Sequence, residues 1–189
     1  MYIHLCRFQD GGTSFALPAG MFSRRAILGA GAVAGMVSPA AFATQVPASE
    51  FGLEPNVARD QSEAFRKALR AVGGRGLFLP PGVYLAAGLE ITAPMALMGL
   101  PGLTRIVSST GGTILSVREA PAVTLSGLVL DGAATGQDSE APPVFSSLDA
   151  RDLALESITL RKAAGTGLSL RRSSGSIHHC TIADCGETG

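Results

Sequence analysis

Three stretches of this chain carry one pattern that leaves few ways to fold. Val123-Thr124-Leu125-Ser126-Gly127-Leu128-Val129-Leu130 lies over Leu153-Ala154-Leu155-Glu156-Ser157-Ile158-Thr159-Leu160, and both lie over Gly175-Ser176-Ile177-His178-His179-Cys180-Thr181-Ile182. Each reads apolar-x-x-apolar-x-apolar, at spacings of 30 and 22 residues. The equivalent inward sets are Leu125, Leu155 and Ile177; Leu128, Ile158 and Cys180; and Leu130, Leu160 and Ile182. Alternation of apolar and polar residues makes a half-buried strand. The two-residue gap breaks that alternation, so a corner must lie inside each copy. Gly167-Leu168-Ser169-Leu170 adds a further strand to the second turn. A strand–corner–strand unit cannot bury its apolar side alone, whereas successive turns stacked ~4.8 Å apart bury a continuous aliphatic column and pair the backbone. The expected class is all-β, a right-handed parallel β-helix. An antiparallel sandwich would want hairpin signals such as Asn-Gly and a richer aromatic core; this chain has no Asn-Gly, no Trp and 5% aromatic residues.

One helix precedes the strands. From Asp60 to Val72 the apolar residues Ala64, Phe65, Ala68, Leu69 and Val72 fall on one helical face. Asp60 is expected as the N-cap, Glu63 to complete a capping box, and Gly73-Gly74 to stop the helix. This gives a linker over 44–59, a capping helix over 60–75 and β-helix coils over 76–189. The helix is placed to cover the first coil, since an uncovered edge invites pairing with other strands. No comparable element follows the last motif, so the coils are expected to be the front part of a longer protein.

The start of the chain reads as an address. Met21 to Ala43 has Arg24 and Arg25 before an uncharged stretch from Ala26 to Val37, closed by Ala41-Phe42-Ala43. A basic start, a short apolar middle and an A-x-A end make an export signal, and the mildly apolar middle behind Ser23-Arg24-Arg25 resembles the twin-arginine type. The middle is too short to span a bilayer core of ~30 Å, and no stable membrane anchor is expected after cleavage. Residues 1–20 fit no part of that signal, which suggests that Met21 is the true start. A periplasmic or secreted location follows, with the twin-arginine machinery as partner. An oxidising compartment permits a disulfide between Cys180 and Cys185, but an inward Cys180 is better read as a small hydrophobe.

The run from Asp60 to Leu97 resembles the opening of pectate-lyase-like β-helix proteins: a short Asp-started capping helix, a Gly-Gly break, a strand and an L-P-P-G-x-Y turn, here Leu79-Pro80-Pro81-Gly82-Val83-Tyr84. With Arg24-Arg25 in front, the chain is similar to a family of twin-arginine-exported repeat proteins. The resemblance implies work on acidic polysaccharides, as lyase, glycoside hydrolase or epimerase, along a groove on the coil exterior. The polygalacturonase strings Asn-Thr-Asp, Asp-Asp, Gly-His-Gly and Arg-Ile-Lys are absent, and no Asp cluster of the calcium lyases is evident by spacing. A non-catalytic binding or structural module is therefore the alternative, and no cofactor motif points to a folded, cofactor-loaded export substrate.

Fifteen basic and fifteen acidic side chains balance to a formal net charge of +0, which excludes nucleic acid as a default partner. Outward residues of stacked coils line up in columns. Asp131, Arg161 and Ala183 share one column, and Gly132, Lys162 and Asp184 the next, so that Asp131, Arg161, Lys162 and Asp184 form a mixed-charge patch able to do acid–base work on a sugar. Glu156 falls beside His178, which could make an acid–base pair or half a metal site. Adjacent strand residues face opposite sides, so at most one of His178 and His179 is expected to point into a groove. The polar insertion Asp131 to Pro143 places Asp138 and Glu140 where they could bind a cation.

Overall fold

The computed structural model describes residues 2–5, 45–134 and 136–186; the signal residues Arg24, Arg25, Ala41 and Ala43 lie outside them. In chain order the strands are β1 (Tyr2–Leu5), β2 (Gln45–Pro47), β3 (Gly76–Phe78), β4 (Gly82–Leu85), β5 (Leu89–Ile91), β6 (Met95–Met98), β7 (Thr104–Val107), β8 (Leu115–Arg118), β9 (Val123–Ser126), β10 (Leu128–Asp131), β11 (Phe145–Leu148), β12 (Leu153–Glu156), β13 (Thr159–Arg161), β14 (Leu168–Arg171), β15 (Gly175–His178) and β16 (Thr181–Ala183). A 3-10 turn at Ala48–Phe51 and the helix α1 (Ser62–Val72) separate β2 from β3.

The strands wind into a right-handed parallel β-helix with three faces. The first face has the order β15-β12-β9-β6-β3-β2, the second β16-β13-β10-β7-β4, and the third β1-β14-β11-β8-β5. Each turn of chain visits the faces in that order, and every pairing among β2 to β16 is parallel. The expected ladders are present and longer than the motif search found. On the first face Leu77, Leu97, Leu125, Leu155 and Ile177 stand in register. On the second, Tyr84, Ile106, Leu130, Leu160 and Ile182 do the same, and on the third Leu89, Leu115, Phe145 and Leu168. Nearly all of these side chains are fully buried and form one continuous core; at ~25 cal/mol per Å² of apolar surface removed from water, such columns supply most of the driving force.

The predicted corner is a backbone feature. Gly127, Ser157 and His179, the residues between the first and second faces in successive coils, all take left-handed conformations at φ 64, 54 and 54°. Glu119, Asp149 and Arg172 repeat this after the third face, at φ 50, 56 and 48°. A left-handed residue reverses the pleat, which is how the chain turns without a hairpin.

The helix begins later than expected. Its first residue is Ser62, preceded by Gln61. Asp60 still caps it from one position earlier: its Oδ1 accepts the Ser62 N–H at 2.9 Å and its Oδ2 the Ser62 hydroxyl at 3.0 Å. A hydrogen bond from the Ser109 hydroxyl, with those from Ser62, holds the Asp60 carboxyl below the usual carboxylate range. No capping box forms. Instead the Gln61 side-chain amide closes a pair of 2.9 Å hydrogen bonds with the backbone of Glu54. That pairing ties down the stretch read as a linker, which also carries β2. The L-P-P-G-x-Y turn joins helix to stack: Tyr84 is fully buried, meets Phe65 edge-on at 5.9 Å and donates to the Pro80 carbonyl at 3.0 Å. At the other end of the stack, β1 lies antiparallel on β14.

Candidate functional site

The second face carries a cluster of charge on its exterior. Its outward residues form two columns: Val83, Arg105, Val129, Thr159 and Thr181, and beside them Leu85, Val107, Asp131, Arg161 and Ala183. The register therefore brings Asp131 and Arg161 together as expected. The environment differs from the expected solvated patch, because Asp131 is only 4% exposed. Burying a carboxylate costs several kcal/mol unless its oxygens are satisfied, and here both are. Oδ2 accepts from Arg161 Nε at 2.9 Å and lies 2.7 Å from Arg161 Nη2. Oδ1 accepts the Ala133 N–H at 3.0 Å. A third group went unrecognised in the sequence: Arg105, whose Nη1 stands 3.9 Å from the same Oδ2. The two arginines come from the coils on either side of Asp131, on β7 and β13.

Lys162 and Asp184 do not join this cluster. Both sit one residue beyond the strands, at left-handed corners with φ 50 and 53°, where their side chains are exposed and make no ion pair with Asp131 or Arg161. The expected four-residue patch is thus an Arg105–Asp131–Arg161 triad with two separate surface charges at its border. Both oxygens of this carboxylate are engaged within the protein. What the triad presents outward is guanidinium: the side chain of Arg161 is 28% and that of Arg105 37% exposed, held by a fixed counter-charge. Arg in that state suits planar anions such as carboxylates. The exposed aliphatic side chains of Val83, Leu100 and Leu103 belong to the same first coils.

The first face holds the second candidate. Glu156 and His178 are direct cross-strand neighbours and both are exposed, with no hydrogen bond or ion pair joining them. The strand-alternation argument fails for His179: as a left-handed corner residue it leaves the strand, so both histidines are exposed, their ring centroids 6.5 Å apart. Among the described residues no group of three metal-ligating side chains forms. In the polar insertion, Asp138 accepts the Glu140 N–H at 3.0 Å in a tight turn, and its own N–H donates to Ala164 at 2.8 Å, so the loop is seated on the next coil. Cys180 and Cys185 are both thiols. Cys180 packs against the core as expected, and burial pushes its thiol pKa up.

The sequence matches no protein-family model, and no curated protein matches it. Solved structures do. A proposed glycosyl hydrolase from Parabacteroides merdae superposes with a TM-score of 0.63 at 14% identity, over 76% of each chain. The ORF18 protein of Geobacillus virus E2 gives 0.54 at 19% identity, over 66% of this chain and 27% of its own. The likeness is one of fold. It places this chain among β-helical proteins.

Proposed function

We propose that this is an exported β-helix protein of the pectate-lyase-like kind that binds acidic extracellular polysaccharide on its second face, with Arg105 and Arg161 as ligands for sugar carboxylates and Asp131 as the group that holds them. The buried, doubly engaged carboxylate between two partly exposed arginines carries this reading: the arginines' charge is organised before any ligand arrives, which lowers the ordering cost of binding. The Arg24-Arg25 leader supports delivery to the periplasm or beyond, and the description of the Parabacteroides structure supports a carbohydrate ligand. Because the Asp131 oxygens are committed, recognition without bond cleavage fits this face better than catalysis.

Titration with polygalacturonate at low salt tests the reading. Binding is expected to weaken as salt rises, to fall roughly tenfold in R161A or R105A (about 1.4 kcal/mol each), and to be absent with a neutral glucan. Equal binding of the neutral polymer, or wild-type affinity in the R105A/R161A double variant, would contradict it. The neighbouring Glu156 and His178 favour a second reading, acid–base cleavage on the first face; it requires unsaturated or hydrolysed product that disappears in E156Q.

A further inference from the structure

A cleft of about 810 Å³ opens on the cap, between the 3-10 turn at Ala48–Phe51 and α1. Four cations line it, Arg59, Arg66, Lys67 and Arg70, against the carboxylates of Asp60 and Glu63. Asp60 is already engaged by Ser62, and Arg59 reaches Glu54 only loosely, at 3.7 Å with both side chains 61% exposed. Arg66 is pinned through Nε to the Gly88 carbonyl at 3.4 Å and through Nη2 to the Ala87 carbonyl at 3.2 Å. Lys67 and Arg70 are exposed, and their side chains make no ion pair or hydrogen bond among the described residues. The helix itself does not need this crowding. Arg66 and Arg70 are like charges at i and i+4, a pairing that destabilises a helix. The carbonyls at the helix C-terminus already have their cation, since Arg75 donates to Val72 at 3.1 Å and to Ala71 at 3.4 Å.

The cleft also continues the second face. Residues 54–61 run along β4 as an outer edge: the Asn56 N–H donates to the Val83 carbonyl at 2.8 Å, the Gln61 N–H to the Leu85 carbonyl at 2.7 Å, and Asp60 bridges Leu85 in parallel. Val83 in turn stands beside Arg105. Toward the cap, the exterior therefore leads from Arg161 and Arg105 over β4 to Arg59, and then to Lys67 and Arg70. We propose that this cleft is a second binding site for acidic polysaccharide, in which Lys67 and Arg70 take sugar carboxylates and Phe51 backs a sugar ring. The ligand class rests on the reading of the second face as a polyuronate surface; the site is a separate one. Phe51 is half-buried and packed on the core, so it offers a fixed apolar platform. A polymer is favoured over a small anion because the two sets of cations lie in series: one chain engages both, and the second contact is gained intramolecularly.

Titration of the full chain and three double variants with polygalacturonate at low salt provides the test. K67A/R70A is expected to bind about tenfold more weakly. R151A/R171A, which removes two exposed cations outside both sites, is expected to bind as the wild type does. Lys67 and Arg70 are exposed and alanine is the better helix former, so the circular dichroism should be unchanged; K67Q/R70Q gives the same answer should K67A/R70A fail to fold. Wild-type affinity in K67A/R70A would overturn the inference, and a loss in R105A/R161A would then still keep the second-face site. Equal losses in K67A/R70A and R151A/R171A would also overturn it, by reducing the effect to net charge. Wild-type affinity in R105A/R161A together with a loss in K67A/R70A would support the cleft and remove the second-face reading. No binding by the wild type would remove both.

Discussion

At the residue scale, the corner between the first two faces shows how one backbone state is reached by different side chains. Gly127, Ser157 and His179 share it, and a non-glycine residue held there loses about 1–2 kcal/mol. Ser157→Gly should relieve that strain, offset in part by glycine's greater loss of freedom on folding, for a net gain of up to about 1 kcal/mol. Gly127→Ala should do the opposite, because a Cβ there would run into the Gly99 carbonyl, a backbone atom that cannot step aside; a loss of about 2–3 kcal/mol is expected. Urea unfolding of both variants checks the pair, and a G127A as stable as the parent would remove the steric argument. The same corner explains why alternation misassigned His179: pleat arithmetic holds only while the backbone stays extended.

The helix and first coil form a unit at the element scale, and Tyr84 is its fastener. Burial without a charged partner raises the phenol from its ordinary 10 to about 12. The folded protein therefore keeps a proton that the unfolded chain gives up near pH 10, so stability is fully present below pH 10 and falls as pH rises toward 12. In Tyr2→Phe, which leaves Tyr84 as the sole tyrosine, the ultraviolet signal of tyrosinate should emerge near pH 12 together with unfolding; ionisation near 10 in a folded chain would refute the buried phenol. Phe65→Ala, which removes the ring that Tyr84 packs against, should cost about 3–5 kcal/mol in urea unfolding, and a cost below 1 kcal/mol would mean the cap is not anchored there. This unit was largely legible in the sequence, because a one-faced helix and an L-P-P-G-x-Y turn are local signals. The shift of the helix start to Ser62 was not, since the Gln61–Glu54 pairing that competes with a capping box is a tertiary contact.

For the whole molecule, what could be read depended on loop length. The columns through Leu125, Leu155 and Ile177 were visible because three copies keep the same internal spacing. Leu77 and Leu97 extend that column, yet from them the second-face column is reached only at Tyr84 and Ile106, a longer corner than in the later copies, which hides the earlier coils. Arg105 was missed for the same reason: with its coil unaligned, nothing placed it next to Val129 and within reach of Asp131. The burial of Asp131 was hidden more deeply, since the pattern marks it as outward and its partners Arg105, Arg161 and the Ala133 N–H come together only in the folded stack. The placement of Arg161 beside Asp131 was readable, as were Glu156 and His178, because those pairs follow from the ladder alone.

The stacking register underlies every functional statement here, and paired cysteines test it most directly. Thr124, Ala154 and Ser176 occupy one outward column in three consecutive coils. With the native cysteines replaced, T124C/A154C sits across one inter-strand step of ~4.8 Å, within the Cα separation of about 4.4–6.8 Å that a disulfide accepts. Mild oxidation should close that bond rapidly and should leave T124C/S176C, two steps apart, reduced. Equal bridging of both pairs, or of neither, would contradict the parallel in-register stack.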